Sequence, residues 1–137
     1  KVDNILMGGK TAKQPIKFSC VPLDDAIQKI LCVDIKRACE VSAFYCDLQS
    51  SIFHVSQVIK QRRYACYVVG NRRVKGITLP TDLAVKYFFE TNGFKHIDTF
   101  VRTIPNKRMP LKNSPTNVIG AIEQTMSKEY IVVMRRN

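Results

Sequence analysis

The stretch YACYVVG, Tyr64 to Gly70, is aromatic and β-branched and apolar at both alternations, and the polar Asn71 follows it. It reads as a strand buried on both faces, and such a strand needs a sheet with helices on either side. The residues that follow meet much of that requirement. NRRVKGITLP, after the carboxyl end of the strand, is polar and reads as loop. Thr81 with Asp82 can cap the next helix, DLAVKYFFETNGF, whose Leu83, Val85, Phe88 and Phe89 turn to the core and whose Asn92-Gly93 stops it. HIDTFVRTI, His96 to Ile104, alternates as a strand, and EYIVVMRR ends the chain with Ile131 to Met134 continuously apolar, as in a central strand. Strand, helix, strand implies one right-handed parallel crossover, whereas the last two strands, joined without a helix, should run antiparallel.

Upstream the pattern is helical. Lys1 to Gln14 form an irregular lead-in whose Gly8-Gly9 precedes no helix and makes no phosphate loop. PLDDAIQKIL opens a short helix at Pro22, with Asp24 and Asp25 at its amino end and Ile27, Ile30 and Leu31 on one side, ending near Cys32. From Asp34, the apolar residues Ala38, Val41, Tyr45, Leu48, Ile52, Val55 and Ile59 recur at spacings of three and four. This is one long amphipathic helix or two in tandem. A coiled coil is disfavoured by weak flanking charges and by the strand that follows, which argues for packing on a sheet.

A chain of 137 residues allows one domain with a real core. Its longest apolar runs are five or six residues, too short to cross a bilayer, so no membrane partner is expected. Five cysteines, Cys20, Cys32, Cys39, Cys46 and Cys66, form no C-x-x-C pair, which argues for reduced thiols in a cytoplasmic protein and against zinc or any other metal. Cys32, Cys39 and Cys46 stand seven apart, on one side of a helical pattern. The net charge of +11 predicts attraction to polyanions, nucleic acid first. Six cations, Lys60, Arg62, Arg63, Arg72, Arg73 and Lys75, fall in one stretch without an acid.

Between the last two strands lies IPNKRMPLKNSPTN, Ile104 to Asn117. Lys107, Arg108 and Lys112 can pair with phosphates, and Asn106, Asn113, Ser114, Thr116 and Asn117 can hydrogen-bond a nucleic-acid backbone or base edges. Its three prolines limit the entropy lost on docking.

YVVGNRRVKGITLPTDL, followed by NGFKHIDTFVRTIPNKRMPLKNSPTN and SKEYIVVMRR, resembles the carboxyl-terminal part of bacterial site-specific DNA amino-methyltransferases, which modify adenine N6 or cytosine N4 with S-adenosylmethionine. The resemblance runs from about Tyr64 to Arg136 and is fainter from Asp34 to Lys60, where FYCDLQSSIFHVSQVIK is similar to the helix before the family's fifth strand. It implies an α/β fold, the C-terminal half of a class I methyltransferase-like sheet. In that sheet Tyr64 to Val69 would be the fifth strand and His96 to Thr103 the sixth, with Tyr130 to Arg135 inserted antiparallel between them as the seventh. The expected organisation is a single partial domain over 1–137, with lead-in and short helix in 1–33 and the methyltransferase-like half in 34–137. It also implies that the Ile104–Asn117 loop stands near the target base, which must leave the duplex stack to be modified. Lys107, Arg108, Lys112, Asn113, Ser114, Thr116, Asn117, Arg72 and Arg73 are then the DNA-binding candidates.

The family's chemistry rests on a D/N/S-P-P-Y/F/W motif and a Gly-rich F-x-G-x-G cofactor loop, and neither occurs in the chain. Catalytic and S-adenosylmethionine-binding residues are therefore not assigned. His54 and His96 have no partner at triad or metal-cage spacing and read as surface or edge residues. With Lys1 in first place, the expectation is a fragment or split subunit of a restriction-modification type enzyme, inactive alone. It would pair with a missing N-terminal half, or with another copy of itself, through the exposed edge of the fifth strand. The alternative is a non-catalytic nucleic-acid-binding module or subunit on the same half-fold, using Arg62, Arg63, Arg72, Arg73 and the loop lysines.

Overall fold

The computed structural model describes residues 14–104 and 128–137 in full and the backbone of 112–113 and 123–124. Its elements are α1 (Val21–Leu31), α2 (Ile35–Val58), β1 (Tyr64–Val69), β2 (Arg73–Val74), β3 (Ile77–Thr78), α3 (Thr81–Glu90), β4 (Phe94–Thr103), β5 (Lys112–Asn113), β6 (Glu123–Gln124) and β7 (Lys128–Arg136).

The main sheet has the order β1-β7-β4. β7 runs antiparallel to both neighbours, in register Cys66 to Val133 on one side and Phe100 to Ile131 on the other, so β1 and β4 are parallel to each other across it. This is the expected crossover with an antiparallel last strand at the centre. β4 starts at Phe94, two residues before His96, and carries a bulge between His96 and Asp98.

α3 packs against β1, β4 and β7. Its Val85, Phe88 and Phe89 are fully buried against Ala65, Phe94, Val132 and Met134, with the Phe89 ring 5.1 Å from Tyr67 and 4.9 Å from Phe94. α2 is a single 24-residue helix, capped by the Asp34 carboxylate, which accepts from the Arg37 N–H at 3.2 Å. It buries Ala38, Val41, Tyr45, Leu48 and Ile52, the stripe its spacing predicts. Its principal neighbours are α1 and α3, so the helix layer is built on α3 and α2 does not lie along the sheet as its sequence context suggested. Arg136 at the end of β7 donates to the Ser56 and Ile59 carbonyls, satisfying acceptors that the end of α2 leaves open. α1 joins the same core through Leu23, Ala26, Ile27 and Ile30.

Several expectations are corrected. β1 is buried on one face only: Tyr64 is 56% and Val68 57% exposed, because all three helices lie on the other side, against Ala65. Leu83 is 41% exposed and Ala84 takes the core position, since Thr81, Ala84, Val85, Phe88 and Phe89 recur as one buried stripe and Leu83 stands off it. Thr81 does not cap α3. Pro80 occupies that position without a side-chain bond, and Thr81 instead shares a buried 2.7 Å hydrogen bond with the Tyr45 hydroxyl. Cys32 caps the end of α1 and is exposed, so it leaves the set, whereas Cys39 and Cys46 lie two turns apart on one side of α2.

Candidate nucleic-acid interface

The segment after β1, expected to be plain loop, is a hairpin held at several points. Val74 and Leu79 are buried and pin it to the core. β2 and β3 pair antiparallel, Arg73 to Thr78 and Val74 to Ile77, across Lys75 at φ 52° and Gly76 at φ 75°. Two positive φ values in a two-residue connection match the right-handed twist of paired strands, and glycine adopts one of them without strain. The Leu79 N–H donates to the Arg72 carbonyl at 2.8 Å, and the Arg73 guanidinium donates to the Gly76 carbonyl at 3.0 Å. At its tip Lys75 reaches the Asp34 carboxylate at 3.4 Å. That carboxyl lies below its ordinary range, first because of the Arg37 N–H and then because of Lys75.

Arg72 and Arg73 stand exposed on this frame at the carboxyl end of β1. Beneath them lies the Tyr45–Thr81 hydrogen bond. Burial pushes the Tyr45 phenol above its ordinary range, and the Thr81 hydroxyl and the Arg72 charge offset this in part. Asn71 ties the hairpin to α3 by donating to the Asp82 carboxylate at 2.9 Å and accepting from the Asp82 N–H at 3.2 Å. A guanidinium pair on an anchored turn can hold phosphate oxygens with little loss of backbone entropy.

The run of cations that looks continuous in sequence divides in space. Lys60, Arg62 and Arg63 lie at the amino end of β1, where the Arg62 N–H donates to the Arg136 carbonyl at 2.8 Å and the Arg135 guanidinium sits 5.8 Å from the Tyr64 ring centre. Arg72, Arg73 and Lys75 lie beyond the other end, a strand of six residues away, or about 20 Å at the usual rise. One stretch therefore makes two surfaces.

Of the loop candidates, Lys112 and Asn113 form β5, which pairs with Gln124 and Glu123 of β6. No alternation in that polar sequence signalled a ladder. Asn106, Lys107, Arg108, Ser114, Thr116 and Asn117 lie outside the described residues. His54 is exposed on α2 and stacks edgewise on Phe53, and His96 shares a 2.8 Å hydrogen bond with Thr99. Burial pushes the Cys20 thiol up, which disfavours the thiolate a nucleophile needs. Among the described residues no cluster of His, Cys, Asp or Glu could hold a metal ion, and no helix is long and apolar enough to cross a membrane.

No protein-family model matches the chain. The type II methyltransferase M.MvaI of Kocuria varians is 40% identical to it over 141 residues, an alignment that takes in 98% of this chain. Nearly the whole chain is thus similar to one part of a type II methyltransferase. It spans 31% of the length of M.MvaI. The alignment takes in nearly the whole chain, so most of the lead-in, α1 and α2 match this relative along with the Tyr64–Arg136 segment that carried the resemblance. Two structures of a protein named as a DNA modification methylase of Thermus thermophilus are also similar. A selenomethionine derivative is 22% identical, covering 69% of this chain and 37% of that one at a TM-score of 0.48. A complex with S-adenosyl-L-methionine is 20% identical, covering 71% and 38%, also at 0.48.

No described residue is assigned to S-adenosylmethionine. The carboxylates nearest the Arg72–Arg73 hairpin are committed elsewhere, Asp82 to Asn71 and Asp34 to Arg37 and Lys75.

Proposed function

We propose that the chain is the DNA-facing carboxyl-terminal part of an S-adenosylmethionine-dependent DNA amino-methyltransferase, acting on adenine N6 or cytosine N4, and that it does not methylate alone. The observation that carries this reading is the 40% identity to a type II methyltransferase over 98% of the chain but 31% of the relative. The chain supplies the polar wall of the site. Arg72 and Arg73 hold the DNA backbone from the anchored hairpin, joined by Lys107, Arg108 and Lys112, while Asn113, Ser114, Thr116 and Asn117 hydrogen-bond the backbone or base edges beside the displaced nucleotide. The cofactor, bound by the rest of the enzyme, supplies the methyl group.

The test is reconstitution. The chain is mixed with a polypeptide equivalent to the remainder of the relative, together with duplex DNA and methyl-labelled S-adenosylmethionine. The pair should label DNA and either half alone should not; a pair that binds DNA and transfers nothing would sink the reading.

A second reading is favoured by the two separate basic ends of the sheet: a non-catalytic nucleic-acid-binding platform. It expects the chain alone to bind DNA through both ends, with affinity falling steeply as salt rises.

A further inference from the structure

Asp34 stands where α1 meets α2 and is held there through its backbone on both sides. Its N–H donates to the Ile30 carbonyl at 2.8 Å, and its carbonyl accepts from the Ala38 N–H at 3.1 Å. The two carboxylate oxygens then serve different elements. Oδ1 accepts the Arg37 N–H at 3.2 Å and caps α2, whereas Oδ2 lies 3.4 Å from the Lys75 ammonium at the tip of the β2–β3 hairpin. A carboxylate already fixed by a cap has little rotamer freedom left to lose when it takes a second partner.

Lys75 is constrained from its own side as well. Val74 before it is buried, and Lys75 itself has a φ of 52°, a left-handed conformation that persists in a non-glycine residue where neighbouring contacts enforce it. The carbonyl of the next residue, Gly76, accepts from the Arg73 guanidinium at 3.0 Å. A continuous run of contacts therefore leads from the α1–α2 joint through Lys75 and the turn to Arg73. Arg73 moves with the turn, and the turn is tied at its tip to Asp34.

We propose that Asp34 is a positioning residue for DNA, which orients Arg73 by holding Lys75 and with it the β2–β3 turn. This rests on the proposed function for the ligand. The competing account makes Lys75 a third phosphate-binding cation and Asp34 a helix cap that happens to stand beside it. The two differ in sign. A carboxylate next to a surface that takes up phosphates repels them, so simple charge predicts that removing it strengthens DNA binding. Positioning predicts the reverse, because a turn released from Asp34 lets the Arg73 guanidinium wander and must be ordered again on docking. The geometry favours positioning: the Lys75 ammonium is turned to Asp34, and the guanidinium that depends on the turn is the exposed one.

Asp34→Asn separates the two tasks of the side chain, since asparagine caps a helix about as well as aspartate but offers Lys75 no charge. In the reconstituted enzyme this variant should bind duplex DNA about two- to five-fold more weakly, the range of an exposed ion pair, with the KM for DNA raised and kcat unchanged. In the chain alone, the Leu79 amide, which donates to the Arg72 carbonyl at 2.8 Å, should exchange with solvent faster by a similar factor. Lys75→Arg should leave both measurements at the parent level, and adding Asp34→Asn to Lys75→Met should weaken binding no further than Lys75→Met does. Tighter or unchanged DNA binding by Asp34→Asn overturns the proposal, as does weaker binding with Leu79 exchange as in the parent. A parent complex that binds DNA without methylating it sinks the functional reading, while the binding and exchange results still decide this one.

Discussion

Asn71 and Asp82 hold each other twice, the Asn71 amide donating to the Asp82 carboxylate at 2.9 Å while the Asp82 N–H donates to the Asn71 side-chain oxygen at 3.2 Å. Asn71 thereby does for the start of α3 what Pro80, in the cap position, cannot do. Asn71→Ala should cost about 1 kcal/mol of stability, the usual loss for a helix cap, measured as a shift in denaturant midpoint. It should also weaken DNA binding by the reconstituted enzyme, because Arg72 adjoins the lost strap. A fully stable variant would show that the pair does not anchor the hairpin.

Tyr45→Phe leaves the Thr81 hydroxyl buried without its partner, at a cost of about 1–2 kcal/mol near neutral pH. The sign of the pH effect follows from the raised phenol. Burial keeps Tyr45 neutral in the folded chain above the pH at which the unfolded chain ionises it, so its contribution is complete below about pH 10 and is lost as pH climbs through the folded value. Unfolding curves across the alkaline range should fall less steeply for Tyr45→Phe than for the parent. Tyr67, raised by burial as well, retains its own share of the slope.

The division of the basic run predicts unequal effects on DNA binding. In the reconstituted enzyme, replacing Arg72 and Arg73 with alanine should lower the slope of log affinity against log salt by about 2, one phosphate contact each at roughly 0.9. The same change at Arg62 and Arg63, at the far end of β1, should leave the slope unchanged. Equal effects would favour the platform reading.

Alanine at Lys107, Arg108 and Lys112 should weaken DNA binding uniformly across sequences and flatten the salt dependence, read by titration at several salt concentrations. Unchanged binding would remove the loop from the interface.

Local pattern carried much of this fold. The Ala38–Ile52 stripe, the stop at Asn92-Gly93 and the alternation of β4 were each legible, because they depend on near neighbours and on one period. The corrections came where a distant residue decided the outcome. Thr81 has the chemistry of a cap, but the Tyr45 hydroxyl, 36 residues earlier, takes its oxygen. Leu83 gives way to Ala84 because Val85, Phe88 and Phe89 fix the inward stripe of α3 and only Ala84 falls on it at helical spacing. The β2–β3 hairpin was hidden by its short strands; the Lys75-Gly76 turn was its one available signal.

Amino-acid order alone determined the three helices and the three long strands, that the last strand runs antiparallel to the one before it, and that the chain carries a large positive charge. Those properties come from side-chain periodicity, connection length and a sum over residues. Only the tertiary structure decided that YACYVV is buried on one side and that one run of six cations faces two ways. The reason is geometric: a strand of about 20 Å separates neighbours in sequence, and which face a helix layer covers is set by how the layers pack.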